Sequence, residues 1–415
     1  MRSRSSIIVL AALTLAFGAC TRGGSTSSSP AAPVPRDLLF LSSGGSLSAV
    51  DGGTGKVVFS ADGAVPAPDW SYLFEASVAV DRTSVRSLDP NTGRVSASTS
   101  VPGSLSVATA GPNGEVALVD PASAADPWIP AARSATDITV AHPLSAAPPQ
   151  RFQLKGNFVP EAFSSDGESL YMLEYLPPMD PVKYRVVSLY LDKGKVWPVY
   201  GRDKQPVENM TATRLQQALA PDGTALYTLY TNQPPAYAAG IASEQASSDG
   251  EVAFIHTLSL DGGFAECVAL PRSFGSLQPA AAALAVSGGR VYAIDAAHGR
   301  IAVMDASRLT VIRTAHVDLG APGTEGTSAG VSADGSTLFV ATGTHMTAID
   351  TSTLRPRATT TISGNVTGLG LSPDGGRLYL SWSGHVEALD PSTGTQDAML
   401  SVPGGNVLAH VMAGT

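Results

Sequence analysis

The five residues Gly326-Thr-Ser-Ala-Gly330 have the spacing of a nucleophile elbow, in which a sharp turn from a strand to a helix exposes a serine hydroxyl for acyl transfer. Ser328, however, begins an alternating apolar stretch that is typical of a strand, and no helical pattern follows it. The equivalent stretch of the next repeat, at 365–370, has no serine. The match therefore predicts no nucleophile, and we assign no catalytic residue.

The histidines do not form a ligand pattern either. His345 and His385 occupy similar places in adjacent repeats, but a protein zinc site needs at least three ligands, and no third accompanies them. The glycine-rich stretch Gly52–Lys56 lacks the spacing of a phosphate-binding loop and is predicted to be a hairpin turn. The sequence thus predicts neither a metal nor a cofactor.

The N-terminal residues have the pattern of an export signal. Arg2 and Arg4 precede an apolar stretch from Ile7 to Ala19, which is too short to span a bilayer. This stretch ends in Phe17-Gly18-Ala19-Cys20, which resembles the lipobox of bacterial lipoproteins. The resemblance implies a signal peptide at 1–19 and a lipid on Cys20, so that residues 20–36 are a flexible tether. The alternative is an ordinary secretory signal with a chance cysteine.

Charge and cysteine usage limit the partners. The net charge is −9 and no cluster of Lys and Arg occurs, so we predict no nucleic-acid partner. With Cys20 lipidated, Cys267 has no disulfide partner in the chain, and its alternating surroundings predict a buried thiol. The expected location is the extracytoplasmic side of the cell membrane, with the membrane itself as one partner.

A repeat begins near residue 38 and continues to the end. Each unit has an apolar strand, a turn with Asp-Gly or a similar pair, a strand led by Leu-Tyr or Leu-Phe, and a third strand that ends in Asp. The clearest copies begin at Thr327 and Val366. Asp-Gly pairs suit the positive φ of a tight hairpin, and the Asp side chain stabilises the next turn. The spacing of the units predicts four-stranded blades at 37–415.

We count eight blades, with seven as the alternative because the copies between 103 and 155 are irregular. The stretch 406–412 is typical of an innermost strand, and 36–42 of a second strand that has no first strand before it. Together they predict one blade that closes the ring and removes open sheet edges. The predicted fold is an all-β propeller.

The turns carry a family resemblance. Ser-Pro-Asp-Gly-x-x-Leu-Tyr-Leu at 372–380, with similar stretches at 332–340 and 220–228, resembles the repeat of YVTN-type and lactonase-like β-propellers. The motif is structural and shared by many propellers, so it carries no site residues over. It implies a propeller and leaves open a hydrolase of the lactonase-like type.

Enlarged connections indicate where a partner is bound. Links between second and third strands are long at Asp120–Asp137, Leu176–Tyr184 and Asn232–Glu251, and we expect the interblade stretch Gly201–Ala212 to emerge beside them. All belong to blades three to five. Neutral drift of surface loops is the alternative explanation.

These links supply five candidate partner-binding residues of the aromatic and arginine types that dominate recognition surfaces: Trp128, Arg133, Tyr184, Arg202 and Tyr237. The leading hypothesis is a membrane-anchored binding or scaffold module for a protein, peptide or glycan. A lactonase-like hydrolase and a purely architectural envelope protein are the rivals.

Overall fold

A computed structural model describes residues 37–121, 131–205, 209–233, 252–402 and 407–414, which form eight four-stranded antiparallel sheets in a ring. The predicted all-β propeller is confirmed, and so is the count of eight blades. The irregular stretch between 103 and 155 contains a complete third blade.

The blades follow one another along the chain, and their strands are these. Blade 1 contains β1 (Asp37–Ser43), β2 (Ser46–Asp51), β3 (Val57–Asp62) and β32 (Val407–Ala413); blade 2 contains β4 (Val65–Pro66), β5 (Leu73–Ala79), β6 (Arg82–Leu88) and β7 (Val95–Pro102); blade 3 contains β8 (Ser106–Ala110), β9 (Val116–Val119), β10 (Ala135–Ala141) and β11 (Gln150–Lys155); blade 4 contains β12 (Asn157–Phe163), β13 (Ser169–Leu176), β14 (Lys183–Tyr190) and β15 (Lys195–Pro198).

The second half is built in the same way. Blade 5 contains β16 (Thr213–Leu219), β17 (Ala225–Gln233), β18 (Val252–Ser259) and β19 (Ala265–Ala269); blade 6 contains β20 (Ala282–Ser287), β21 (Arg290–Asp295), β22 (Arg300–Asp305) and β23 (Thr310–His316); blade 7 contains β24 (Thr327–Val331), β25 (Thr337–Thr342), β26 (His345–Asp350) and β27 (Pro356–Thr361); blade 8 contains β28 (Gly368–Leu371), β29 (Leu378–Trp382), β30 (His385–Leu389) and β31 (Gln396–Ser401). Short 3-10 helices lie at Arg272–Phe274, Pro279–Ala281 and Ala296–His298.

Blade 1 closes the ring as predicted. Its innermost strand, β32, pairs antiparallel with β1, from Asp37 opposite Ala413 to Ser42 opposite Val407. The buried Tyr379 of blade 8 donates a hydrogen bond of 2.6 Å from its hydroxyl to Asp37 Oδ2. Chain-end pairing and a buried hydrogen bond between blades 8 and 1 therefore fasten the ring.

Local turn chemistry explains why the repeat forms hairpins. Gly335 follows Asp334 with a φ of 72°, a left-handed conformation that a side chain disfavours. At the end of the third strand, Asp350 Oδ1 accepts hydrogen bonds from the backbone N–H groups of Ser352 and Thr353 at 3.0 and 2.9 Å. Hydrogen bonds from the Ser352 hydroxyl and from Arg357, followed by those from Thr353, lower the pKa of Asp350.

Antiparallel pairing divides the connections between two faces. Turns between first and second strands and between third and fourth strands lie on one face, which we call the turn face. Links between second and third strands and links between blades lie on the other, which we call the link face. β1 begins at the turn face, because Asp37 lies opposite the end of β32.

The core consists of apolar layers between neighbouring blades. All layers but one contain aliphatic residues and one or two buried aromatic rings, as in the layer of Ile294, Ile301 and Leu338 between blades 6 and 7. The layer between blades 4 and 5 differs, because it contains four tyrosines in addition to Phe254. This tyrosine-rich layer adjoins the site described next.

Candidate functional site between blades 4 and 5

The inner strands of blades 4 and 5 are widely separated. β16, β20, β24 and β28 each approach the next inner strand closely, whereas few Cα atoms of β12 and β16 come within 8 Å of each other. Both strands contain a bulge, at Glu161 in β12 and at Leu215 in β16. Bulges bend a strand and redirect its side chains, so large side chains fill the space between these two blades.

A row of aromatic rings lines this space. The ring of Tyr184 lies 5.4 Å from that of Tyr175 and 6.1 Å from that of Tyr230. Tyr230 in turn stacks on Phe254, with a centroid distance of 5.1 Å and an interplanar angle of 13°. These spacings are those of favourable aromatic pairs, so the rings form a rigid wall.

Tyr184 is buried, and its hydroxyl has a hydrogen-bond partner. Its hydroxyl donates a hydrogen bond of 2.6 Å to the backbone carbonyl of Ala212, in the strand-free segment that precedes β16. A backbone bridge between Tyr184 and Met210 holds the same segment against blade 4. Burial raises the pKa of Tyr184, so this phenol stays protonated at physiological pH.

An ion pair lies next to the aromatic wall. Arg214 Nη1 is 2.6 Å from Glu161 Oε1, and the two side chains are only 12% and 7% exposed. Gln217 completes the network by donating to Glu161 Oε2 at 3.1 Å and accepting from Arg214 at 2.5 Å. Burial lowers the pKa of Arg214, but Glu161 together with the neighbouring Tyr230 and Tyr175 outweighs burial, so the pKa is raised. The Arg214 guanidinium is therefore held in place and stays charged, with the Glu161 carboxylate as its counter-ion.

A pocket of about 200 Å³ opens beside these groups on the link face. Its walls come from the end of β13, the residues Pro181–Tyr184, the residues Thr211–Arg214 and Tyr230. We call it the tyrosine pocket. It combines aromatic walls with Arg214 and Lys183, an arrangement suited to holding one apolar or aromatic side chain by contact and orienting it by hydrogen bonds.

The structure brings together some of the predicted residues and separates another. Tyr184 lies in the pocket wall. Arg133 is half-buried, and its backbone N–H donates to the carbonyl of Pro178, in the same link that supplies the pocket wall. Both therefore belong to the link face of blades 3 and 4, as the long links predicted.

Arg202 does not join them, which corrects the expected clustering. Its guanidinium donates a hydrogen bond of 3.0 Å to the carbonyl of Ser307 and lies over the ring of Phe264. Ser307 is in a turn between third and fourth strands, so Arg202 lies at the turn face. After β15 the chain descends along blade 5, where Tyr200 bridges Phe264, before it returns to Met210.

Cys20, Trp128 and Tyr237 lie outside the described residues, so their roles stay predictions. Cys267 is half-buried on the outermost strand β19, opposite His256 of β18. Sequence reasoning missed Glu161, Arg214 and Tyr230. Charged residues in inner strands are a signal that could have identified the first two, because the described inner strands contain no other Asp, Glu, Lys or Arg.

A second group of side chains that could take part in a reaction lies on the link face of blade 6. His298 Nδ1 is 2.8 Å from Asp295 Oδ2, and the Asp295 side chain is 1% exposed whereas that of His298 is 48% exposed. A buried carboxylate on Nδ1 orients an imidazole so that its other nitrogen can act as a base. Within the described residues, no three His, Cys, Asp or Glu side chains are grouped so that they could hold a metal ion.

Comparison with solved structures agrees with the fold. AztD from Citrobacter koseri superposes with a TM-score of 0.53 at 11% identity, covering 92% of this chain and 98% of that chain. The dihydro-heme d1 dehydrogenase NirN, in complex with DHE, superposes with a TM-score of 0.50 at 14% identity, covering 91% of this chain and 76% of that chain. The protein is thus an eight-bladed β-propeller, and at these identities the likeness extends to the fold alone.

No protein-family model and no curated protein sequence matches the chain. In the described part of the chain, no helix is both long and apolar enough to cross a membrane.

Proposed function

We propose that this protein is an extracytoplasmic lipoprotein, anchored through Cys20, whose propeller binds a peptide segment of a partner protein at the tyrosine pocket. The observation that carries the binding role is the pocket itself, with its rigid aromatic wall and buried Glu161–Arg214 pair. The N-terminal signal pattern and the Cys20 context support the anchor. Asp37, where the proposed tether joins the propeller, lies at the turn face, whereas the pocket opens on the link face.

The size of the pocket favours a side chain over a whole small molecule. Sites for drug-sized ligands have volumes of roughly 300–1,000 Å³, and this pocket has about 200 Å³. Binding energy in protein interfaces is concentrated in a few anchor side chains that fill well-packed pockets. Because Glu161 neutralises Arg214, an apolar or aromatic anchor suits the pocket better than a charged one.

Two exposed residues of the same link provide a matched test. Val182 lines the pocket and is 63% exposed, whereas Met179 is 59% exposed and is not part of the lining. Peptides selected from a displayed random library on residues 37–415 should bind Val182→Trp at least tenfold more weakly, because the indole covers the pocket, and should bind Met179→Trp normally. Selection of no peptide, or of peptides that bind both variants equally, would refute the pocket as the binding site.

The anchor has its own test. Cys20→Ala should move the protein from the detergent-rich to the aqueous phase in detergent partitioning, since the lipid has no other attachment. Partitioning that stays unchanged in this variant would refute lipidation of Cys20.

A hydrolase is a second candidate function, favoured by the Asp295–His298 pair. If this pair is a catalytic base, the purified propeller hydrolyses simple lactones, and His298→Ala abolishes the activity while His385→Ala, at an exposed histidine of blade 8, leaves it intact. Absence of any lactone hydrolysis by the wild-type protein would exclude the lactonase-like form of this candidate.

A further inference from the structure

Three exposed aromatic residues converge on one groove. Among the described residues, the most exposed aromatic side chains are Tyr190, Trp197 and Tyr200, which are 38%, 51% and 45% exposed. All three line a single groove between the outer parts of blades 4 and 5, at the turn face, with a volume of about 330 Å³. We call it the aromatic groove. Large exposed rings in one concave place mark a recognition surface.

The local fold explains the convergence. Trp197 on β15 is paired with Ser188 on β14, and Ser188 is paired with Tyr171 on β13, so these three side chains project from the same side of blade 4, toward blade 5. Tyr200 closes the groove from the other side, where its backbone bridges Phe264. The groove is separate from the tyrosine pocket, which lies on the opposite face.

The chemistry of the lining selects among possible occupants. Besides its rings, the groove contains the Ser188 and Tyr171 hydroxyls and the backbone at Gly263, but no carboxylate. Its one cation, Lys193, already lies over the ring of Tyr190, 5.0 Å from the centroid. In a protein with a net charge of −9, this groove is free of carboxylates in its lining and rich in hydroxyls and rings. It matches an uncharged polymer that is itself rich in hydroxyls.

From these contacts we infer that the aromatic groove binds a glycan chain of uncharged sugars. The C–H bonds on one face of a pyranose carry partial positive charge and pack against the negative face of an aromatic ring. The hydroxyls at the sugar edge exchange hydrogen bonds with serine and phenol groups. A peptide anchor instead needs a closed, desolvated pocket, and these rings remain about half exposed.

The test is a glycan array probed with residues 37–415, followed by calorimetric titration of the strongest uncharged oligosaccharide. Trp197→Ala should weaken binding at least tenfold, and Tyr200→Ala should also weaken it. Met399→Ala, at a 40% exposed residue on the outermost strand of blade 8, should not change it. Because Trp197 and Tyr200 are exposed, both variants should retain the wild-type melting temperature.

Two outcomes would overturn the inference. One is an array on which no uncharged glycan binds more strongly to the wild type than to Trp197→Ala. The other is a proline-rich peptide, the usual occupant of aromatic grooves in small adaptor domains, that binds in a Trp197-dependent manner while glycans do not. Val182→Trp should leave glycan binding intact, so failure of the groove and failure of the tyrosine pocket are distinguishable.

Discussion

His256 is buried and His410 is half-buried, and among the described residues neither imidazole forms an ion pair with a carboxylate. His256 is 3% exposed in the third strand of blade 5, and its Nε2 atom has no hydrogen-bond partner. Burial, reinforced by nearby Arg214, lowers the pKa of His256 to about 4, and burial lowers that of His410 to about 4 as well. Both imidazoles are therefore neutral in the folded protein at neutral pH. No sequence pattern indicated that these two histidines are neutral, because their burial depends on packing between blades.

Acid should destabilise the propeller through these residues. An unfolded histidine takes up a proton near pH 6.5 and a folded His256 only near pH 4, so the stabilisation present above pH 6.5 is lost as the pH falls toward 4. The loss from His256 should reach roughly 3 kcal/mol. Urea unfolding between pH 7 and 4 measures it, and His256→Leu should flatten the profile. A profile unchanged from that of the wild type would contradict the assignment.

At the scale of elements, the hairpin turns were predictable from sequence because their cause is local. In the Asp-Gly pairs at 334–335 and 374–375, the glycine adopts the positive φ that its residue type favours. The bulges at Glu161 and Leu215 have no local signal in the sequence. The tyrosine pocket is formed by residues of two blades that are distant in sequence, so the sequence identified one wall, at Leu176–Tyr184, and missed Arg214 and Tyr230.

Substitution of Gly335 tests whether the positive φ of the glycine stabilises the hairpin turn, because no packing contact interferes at this position. A Cβ at this position has no heavy atom within 4 Å, so any cost of substitution comes from the φ of 72°. Gly335→Ala should destabilise the protein by about 1 kcal/mol. Gly335→Asn should cost less, because asparagine tolerates the left-handed region. Thermal unfolding compares the two, and equal costs would show that the conformation is not the cause.

For the whole molecule, ring closure was predictable from the two ends of the repeat region. The N-terminal end has a second strand without a first strand before it, and the C-terminal end has a single innermost strand that completes the same blade. The position of Arg202 was not predictable, since nothing in the order of blades indicates that an interblade segment descends to the turn face. Closure unites β1 with β32 and places Tyr379 of blade 8 on Asp37. Stability of the whole ring should therefore depend on its last strand.

Removal of β32 tests this dependence. A chain that ends at Val402 leaves the inner edge of β1 unpaired and uncovers the layer of Leu39, Leu41 and Tyr379. It should lose cooperative unfolding and aggregate, as measured by calorimetry and size-exclusion chromatography.

A circular permutant that joins Ala413 to Asp37 and opens at Gly288-Gly289 retains every blade and should remain monomeric. A stable monomer ending at Val402 would show that closure is dispensable.

The pairing of β32 with β1 also determines when the ring can close during synthesis of the chain. Blades 2 to 8 can each form before β32 is synthesised, whereas blade 1 is completed only when β32 pairs with β1. The ring therefore cannot close during synthesis until the residues of β32 are available, long after those of β1.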